Sequence, residues 1–472
     1  MSDEARPEPT FRAWAGIMGA AVVAALLIPS GPPGIGLVIT GIAIAAAVAG
    51  ARPRPLDLEA GALTAAALLL LAMGTVYDAP WLIFVDVIAA MGCSAVAIAG
   101  AGTWASILAA PFRVAGQSVR VPRVVLQAVP RGGPSVDPGV AARAAGISVV
   151  LLVGFGALFV SADAAFARIA NELLLPDIGT KLLPARVLVG VLALAGAGGL
   201  VLAGRRRAPA PDSSTAADLW GPEPRRPLST IEWALPLALL DLLFAAFVVV
   251  QIAVLFGGHR HVLETTGLTY AEYARAGFFQ LVTIAVLVLG VIAASVKVAQ
   301  GAHRWLKILL GVLCVLTLVV LASALRRMDL YEAAYGLTRI RVAVHAVDLW
   351  LAGLFTLVLI AGAGARTWLP RAVLALTVVA LLAFNASNPE ARIAESGVDR
   401  WRATGEIDRS YLMTLSADGV PPLLELPSEV RECILAPIAG NLRRETGPWS
   451  SFNLSRNRAL DLIPPEEPIC SS

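Results

Sequence analysis

The sequence predicts an all-α membrane protein: a polytopic helical bundle of about eleven spanning helices, followed by a small α-helical C-terminal extracytoplasmic domain. Three observations predict it. Of 472 residues, 57% are hydrophobic and 15% charged, with a mean hydropathy of +0.75; soluble domains carry about a quarter charged residues. Apolar runs near the ~20 residues that cross a bilayer recur as far as residue 385. From 386 onward the composition reverses, with nine arginines against 13 acids, a net of −4 that leaves +7 on the rest.

The runs fall at 11–29, 33–50, 58–76, 81–109, 144–161, 184–203, 232–257, 276–296, 305–325, 341–363 and 369–385. Inside a bilayer the backbone has no water to bond, so each run must be a helix. The first is read as a span and not a signal peptide, because Asp3, Glu4 and Glu8 precede it where a basic segment belongs. The run 81–109 is kept as one span with an amphipathic tail, stopped at Pro111. Gly190, Gly196, Gly198 and Gly199 supply small surfaces for close helix packing. Pro236 bends the seventh span or sits in its first turn.

With the N-terminus in the cytoplasm, the inner segments hold 19 Lys and Arg and the outer segments nine. That asymmetry follows the positive-inside rule and puts the C-terminus outside. The organisation expected is a membrane bundle over 1–203, a flexible cytoplasmic linker rich in Pro, Ala and charge over 204–230, a second bundle over 231–385, and the extracytoplasmic domain over 386–472. No lipidation motif and no internal repeat are evident. The tail opens with Asn388-Pro389, a capped helix start, and helices are expected at 408–416, 428–444 and 450–462, interrupted by Pro421, Pro422 and Pro437. Cys93 and Cys314 lie in apolar runs as packing residues. Cys433 and Cys470 would face an oxidising compartment, where a disulfide between them would stabilise the tail by about 3–4 kcal/mol in the chain-entropy model.

Polar and aromatic residues gather in two outer segments. In 267–280, Tyr270, Tyr273 and Gly277 follow helical spacing and Glu272 can pair with Arg275; this reads as an interfacial helix or as a binding surface. In 326–348, Asp329, Tyr331, Glu332, Tyr335, Thr338 and Arg339 lead into a stripe of Arg341, His345 and Asp348, each a step of three or four residues into the tenth span. Ionisable groups at that depth face a bundle interior or a water-filled cavity. Paired with Asp348, His345 would form a proton relay or a substrate ligand; the alternative is a buried network that fixes helix register. Asp86 and Asp241, also inside apolar runs, are further partners for Arg341 or His345. Asp163 ends the fifth span as a cap or ion-pair partner, and Asp399, Asp408 and Asp418 suit helix caps and solvated faces.

The sequence has no Walker A loop, G-x-G-x-x-G, H-E-x-x-H or G-x-S-x-G. His259 and His261, two apart and without a neighbouring Cys or acid pair, make a weak metal site. No catalytic residue, cofactor or metal is assigned, and a net charge of +3 does not suggest a nucleic-acid partner. The expected partners are the lipid bilayer and an envelope or signalling protein.

Four segments, TYAEYARAGFFQL (269–281), DLYEAAYGLTRIR (329–341), NPEARIAESGVDRWRATGEIDRSYLMTLSADGVPPLL (388–424) and SFNLSRNRAL (451–460), resemble a bacterial family of uncharacterised polytopic membrane proteins, catalogued as a domain of unknown function and common in actinobacteria and firmicutes. The resemblance covers roughly 140–460 and implies a membrane location with this arrangement of spans and tail; it implies no reaction. The chain departs from the family pattern at Gly397, where the family usually shows Asn in the first tail helix. Three functions are then in view: a non-enzymatic envelope receptor or scaffold with its binding surface on the extracytoplasmic face; a transporter or lipid-handling protein using the ionisable stripe; and, ranked last, an envelope enzyme with Glu272, Asp329 or Glu332 as general base.

Overall fold

A computed structural model of the protein describes residues 11–52, 56–121, 182–205, 230–256, 278–298, 304–364 and 367–464, and every regular element among them is helical. The helices, numbered among the described residues, are α1 (Phe11–Leu27), α2 (Ile35–Gly50), α3 (Leu58–Val76), α4 (Pro80–Ala99), α5 (Trp104–Ser118), α6 (Leu183–Arg205), α7 (Thr230–Phe256), α8 (Phe278–Val298), α9 (Arg304–Tyr335), α10 (Arg339–Ala363) and α11 (Leu369–Ala386). In the tail they continue as α12 (Pro389–Thr404), α13 (Arg409–Leu412), α14 (Val420–Leu423), α15 (Ser428–Arg444) and α16 (Leu454–Leu462).

Six of these are long and apolar enough to cross a membrane: α3, α4, α6, α9, α10 and α11. Apolar stretches of α1, α2, α7 and α8, each of 10–17 residues, are shorter. The expected span at 144–161, Asp163, and the linker at 206–229 lie outside the described residues. Phe84, Ile88 and Met91 on α4, and Leu239, Leu242 and Leu243 on α7, are exposed large apolar side chains. Water penalises such surface and hydrocarbon does not.

The run 81–109 is not continuous. α4 ends at Ala99, Gly100 turns the chain at φ +85°, and α5 begins afresh at a reciprocal cap in which Thr103 and Ser106 bond each other's backbone amides. Pro111 lies within α5 and does not end it.

The chain forms two compact units. The first comprises Met1–Pro211, Ser416–Asp418 and Leu435–Ser472; the second comprises Asp212–Leu415 and Gly419–Ile434. The tail expected as one domain over 386–472 is thus divided between them. In the first unit α1 packs on α2 and α6, and α3 packs on α4, around a core that includes Trp14, Ile17, Val121 and Val201. The small residues of α6 act unequally: a Cβ at Gly199 would fall 2.9 Å from the Val114 carbonyl and 3.1 Å from the Ser118 amide, so only glycine allows α5 this close, whereas Gly196 meets nothing within 4 Å.

The tail segment 450–456 docks in that same unit through buried polar contacts. Ile35 N–H donates to the Phe452 carbonyl (3.0 Å). A Cβ at Gly34 would come within 2.5 Å of that carbonyl, so the approach excludes any side chain there. Asn453 is fully buried; its amide donates to the carbonyls of Gly74, in the last turn of α3, and Tyr77, just past it (2.9 Å each), while its side-chain oxygen caps α16 at the Arg456 amide (2.9 Å). Arg456 pairs with Asp78 and donates to the Ser451 carbonyl (3.1 Å), and the Asp78 amide donates to Asp418 (2.8 Å). Burial pushes the Asp78 carboxyl above its ordinary range despite the adjacent guanidinium. The segment 451–460 therefore has a structural role.

The second unit is built on the α9–α10 hairpin, with α7 and α8 against α9 and α11 against α10, around a core including Phe244, Leu313, Leu321, Leu351 and Phe355. In the tail, Pro421 and Pro422 lie in the first turn of α14, where a missing N–H costs nothing, and Pro437 is accommodated inside α15. Neither interrupts the helices as the sequence suggests.

Candidate functional site

The residues singled out between 326 and 348 converge at the α9–α10 corner of the second unit. α9 ends because Gly336 takes the left-handed conformation (φ +74°), its amide bonding back to the Glu332 carbonyl (2.7 Å). Thr338 starts α10 from an extended conformation without a side-chain cap. The free amide of Arg339 instead donates to the Tyr411 hydroxyl (2.6 Å), a cap supplied from the tail.

Arg339 holds the tail in place. Its Nε and Nη2 donate to the two oxygens of Glu390 (Nη2 at 3.0 Å), and Nη2 also reaches the Thr414 carbonyl (2.6 Å). Glu390 is fully buried and lies in the first turn of α12, where the helix dipole favours a carboxylate. Such a two-pronged guanidinium–carboxylate pair fixes orientation as well as distance. Asn388 caps α12 through the Ala391 amide, from the left-handed conformation (φ 44°) that Asn tolerates.

Beside this latch lies a cavity of about 310 Å³. Its walls include Tyr335, Thr338, Ile393, Arg400, Asp408 and Tyr411, together with Gly397. A Cβ on Gly397 would stand 3.1 Å from a Leu412 methyl, so larger residues there intrude on the cavity. Arg400 pairs with Glu406 (3.1 Å). Asp408 caps α13 through the Tyr411 amide (3.1 Å) and accepts from Ser410 (2.6 Å), and these bonds, the Ser410 hydroxyl first, hold its carboxyl below the usual range.

Arg341, His345 and Asp348 do not join into one network. Arg341 donates to the Gly336 carbonyl and lies over the Tyr331 ring (4.3 Å), which is 5.1 Å from Tyr335. His345 turns back to α9: Nδ1 is 3.0 Å from Glu332 and Nε2 is 3.2 Å from Asp329. Asp348 is fully buried, and neither of its oxygens has a hydrogen-bond partner among the described residues; the same holds for the oxygens of Asp241, so neither serves as the hydrogen-bonded partner of Arg341 or His345 that the sequence suggested. The stripe diverges because the hairpin brings two acids of α9 opposite His345, nearer than a residue one turn along its own helix.

Asp329, Glu332 and His345 place ligand-type atoms within 4.8 Å of one another. Each imidazole nitrogen faces a different carboxylate, which suits a doubly bonded imidazolium; an ion would have to open one of those bonds. Tyr270, Glu272, Tyr273, Arg275, His259, His261 and Cys470 lie outside the described residues. Cys433 is buried and disulfide-bonded, and Cys93 and Cys314 are buried free thiols. Sequence reasoning missed Glu390, Tyr411, Asn453 and Arg456 as anchors. Glu390 was readable only as a first-turn acid, and no local pattern joins it to Arg339, 51 residues away.

Among the comparisons with known proteins, a family model described as "Domain of unknown function (DUF4153)" matches residues 64–426. No curated protein and no solved structure matches the chain. The apolar helices and this match are those of an integral membrane protein carrying a domain of unknown function.

Proposed function

We propose that this chain, which belongs to the DUF4153 family, is a non-enzymatic receptor or scaffold of the bacterial cytoplasmic membrane, with its N-terminus inside and its binding surface on the extracytoplasmic face. The observation that carries the reading is the cavity of about 310 Å³ at the α9–α10 corner, lined from 329–341 and 388–424, two of the four segments that carry the family resemblance. The distribution of Lys and Arg, 19 inner against nine outer, supports the orientation. Leu337, Ile393, Ile407 and Leu412 give the cavity apolar walls, and its charged side chains are two acids, Glu406 and Asp408, against one guanidinium, Arg400. Apolar walls with a few convergent polar groups are the usual form of a small-ligand site. This balance suits an amphiphile with a cationic, hydrogen-bond-donating head.

The test is a thermal-shift series on the purified full-length protein with alkylamines, alkyl carboxylates and alkyl phosphates of matched chain length. The amines alone should raise Tm, and Asp408→Asn, which keeps the helix cap, and Gly397→Leu, which fills the cavity, should each abolish the shift. Equal shifts from all three head groups, or shifts that survive both substitutions, would refute the reading. A second reading, a transporter or lipid-handling protein, is favoured by the buried Asp348 and Asp241, whose carboxylates have no hydrogen bonds among the described residues.

A further inference from the structure

Asp348 stands one turn along α10 from His345, has no exposed surface, and shares that helix with the buried Leu351, Leu354 and Phe355. Neither carboxylate oxygen has a hydrogen-bond partner among the described residues. A charge without such bonds costs several kcal/mol in an interior of this kind, and intramembrane carboxyls in proteins mark ion and proton pathways. We infer that Asp348 is a proton-binding carboxyl of the membrane interior, loaded from the water-facing end of α10 through His345.

The geometry places His345 between water and Asp348. Its Nε2 faces Asp329, whose side chain is 51% exposed, and its Nδ1 faces Glu332, 14% exposed. Each ring nitrogen of His345 can thus exchange a hydrogen bond with a carboxylate, one of them at the surface, which positions the ring to collect protons there. His345 and Asp348, three apart on one helix, are neighbours on one face. For transfer the ring must leave one of the α9 carboxylates and turn toward Asp348. An imidazolium N–H bond then breaks as a carboxyl O–H bond forms. Neutral His345 regains its proton from water by way of Asp329. Other charged groups at this end include Arg326 and Arg327 of α9, Arg341 of α10, Glu390, held by Arg339, and Arg392 of α12, and Arg400, Glu406 and Asp408 around the cavity; α11 carries no ionisable side chain beyond Arg371 near its start. This inference does not depend on the cavity's being a ligand site.

The test uses the full-length protein in detergent and dicyclohexylcarbodiimide, which adds to a protonated carboxyl in apolar surroundings to leave a stable N-acylurea. Peptide mass spectrometry locates the adduct. We expect modification at Asp348 that falls about tenfold per pH unit on the alkaline side of its titration, with a pH profile displaced in His345→Gln. An infrared band of a protonated carboxyl, lost in Asp348→Asn, reads the same proton without a reagent. Absence of both adduct and band between about pH 5 and pH 8, where imidazole changes charge, overturns the proposal; so does a profile unchanged in a His345→Gln protein that elutes as wild type.

Discussion

Replacing Glu390 by Ala should release the tail helix α12 from the α9–α10 corner. The carboxylate is fully buried and its partner Arg339 is 29% exposed in its side chain. Breaking a buried pair from one side costs about 3–5 kcal/mol, because the remaining charge is stranded. Here the lower end applies: the guanidinium keeps its bond to the Thr414 carbonyl and can rehydrate through its exposed part. We therefore expect about 3 kcal/mol for Glu390→Ala. Arg339→Met with Glu390→Leu should recover most of that loss, since neither charge is then buried. Amide hydrogen exchange of 389–404 is the suitable assay, because it reports local opening without requiring reversible unfolding of the membrane part. A loss of about 3 kcal/mol lowers protection by roughly a hundredfold or more. Wild-type protection in Glu390→Ala, or a double-mutant coupling under about 0.5 kcal/mol, would show that the latch does not hold the helix.

Four further outcomes are expected. Asn453→Ala removes the α16 cap, worth about 1 kcal/mol, and the donor to two carbonyls, about 1–3 kcal/mol more; faster exchange confined to 454–462 and the end of α3 is expected, and unchanged exchange there contradicts the docking role. Asp408 titrates below the ordinary carboxyl value when folded, so its contribution is complete above about pH 4 and is lost as pH falls through the folded pKa; the acid-side loss of local protection at 409–412 should be smaller in Asp408→Asn, and an identical acid limb argues against the cap. Asp78, raised by burial, works in the opposite sense: its contribution is complete below about pH 4 and is lost as pH rises through its folded pKa. A membrane-impermeant maleimide on intact cells should label Cys433 only after reduction and mild unfolding of the tail; labelling only in lysed cells would invert the proposed topology.

Much of the helical architecture was legible because hydrophobic runs and helix caps are local. Asp57, bonding the Ala60 amide (2.8 Å), opens α3 where the third run begins, and Asn388-Pro389 opens α12 as its capping chemistry implies. The break at Gly100 was hidden inside an unbroken apolar run, since hydropathy alone does not report a backbone turn. Among candidate residues, the cluster 326–345 was recognised as a group, but its partners were assigned along one helix face. Pairings such as Arg339–Glu390 and Arg456–Asp78, the latter 378 residues apart, leave no trace in spacing.

The sequence by itself determined that this chain is helical and membrane-embedded, because backbone hydrogen bonding in hydrocarbon leaves apolar runs no other structure. It also marked 267–280 and 326–348 as dense in polar and aromatic residues, while 329–341 and 388–424 were picked out by family resemblance. Only the tertiary structure decided that these two segments enclose one cavity, that His345 answers to Asp329 and Glu332, and that Asp348 lies buried without hydrogen-bond partners among the described residues. Each of those outcomes depends on which helices lie side by side, and packing between distant segments is set by the folded whole.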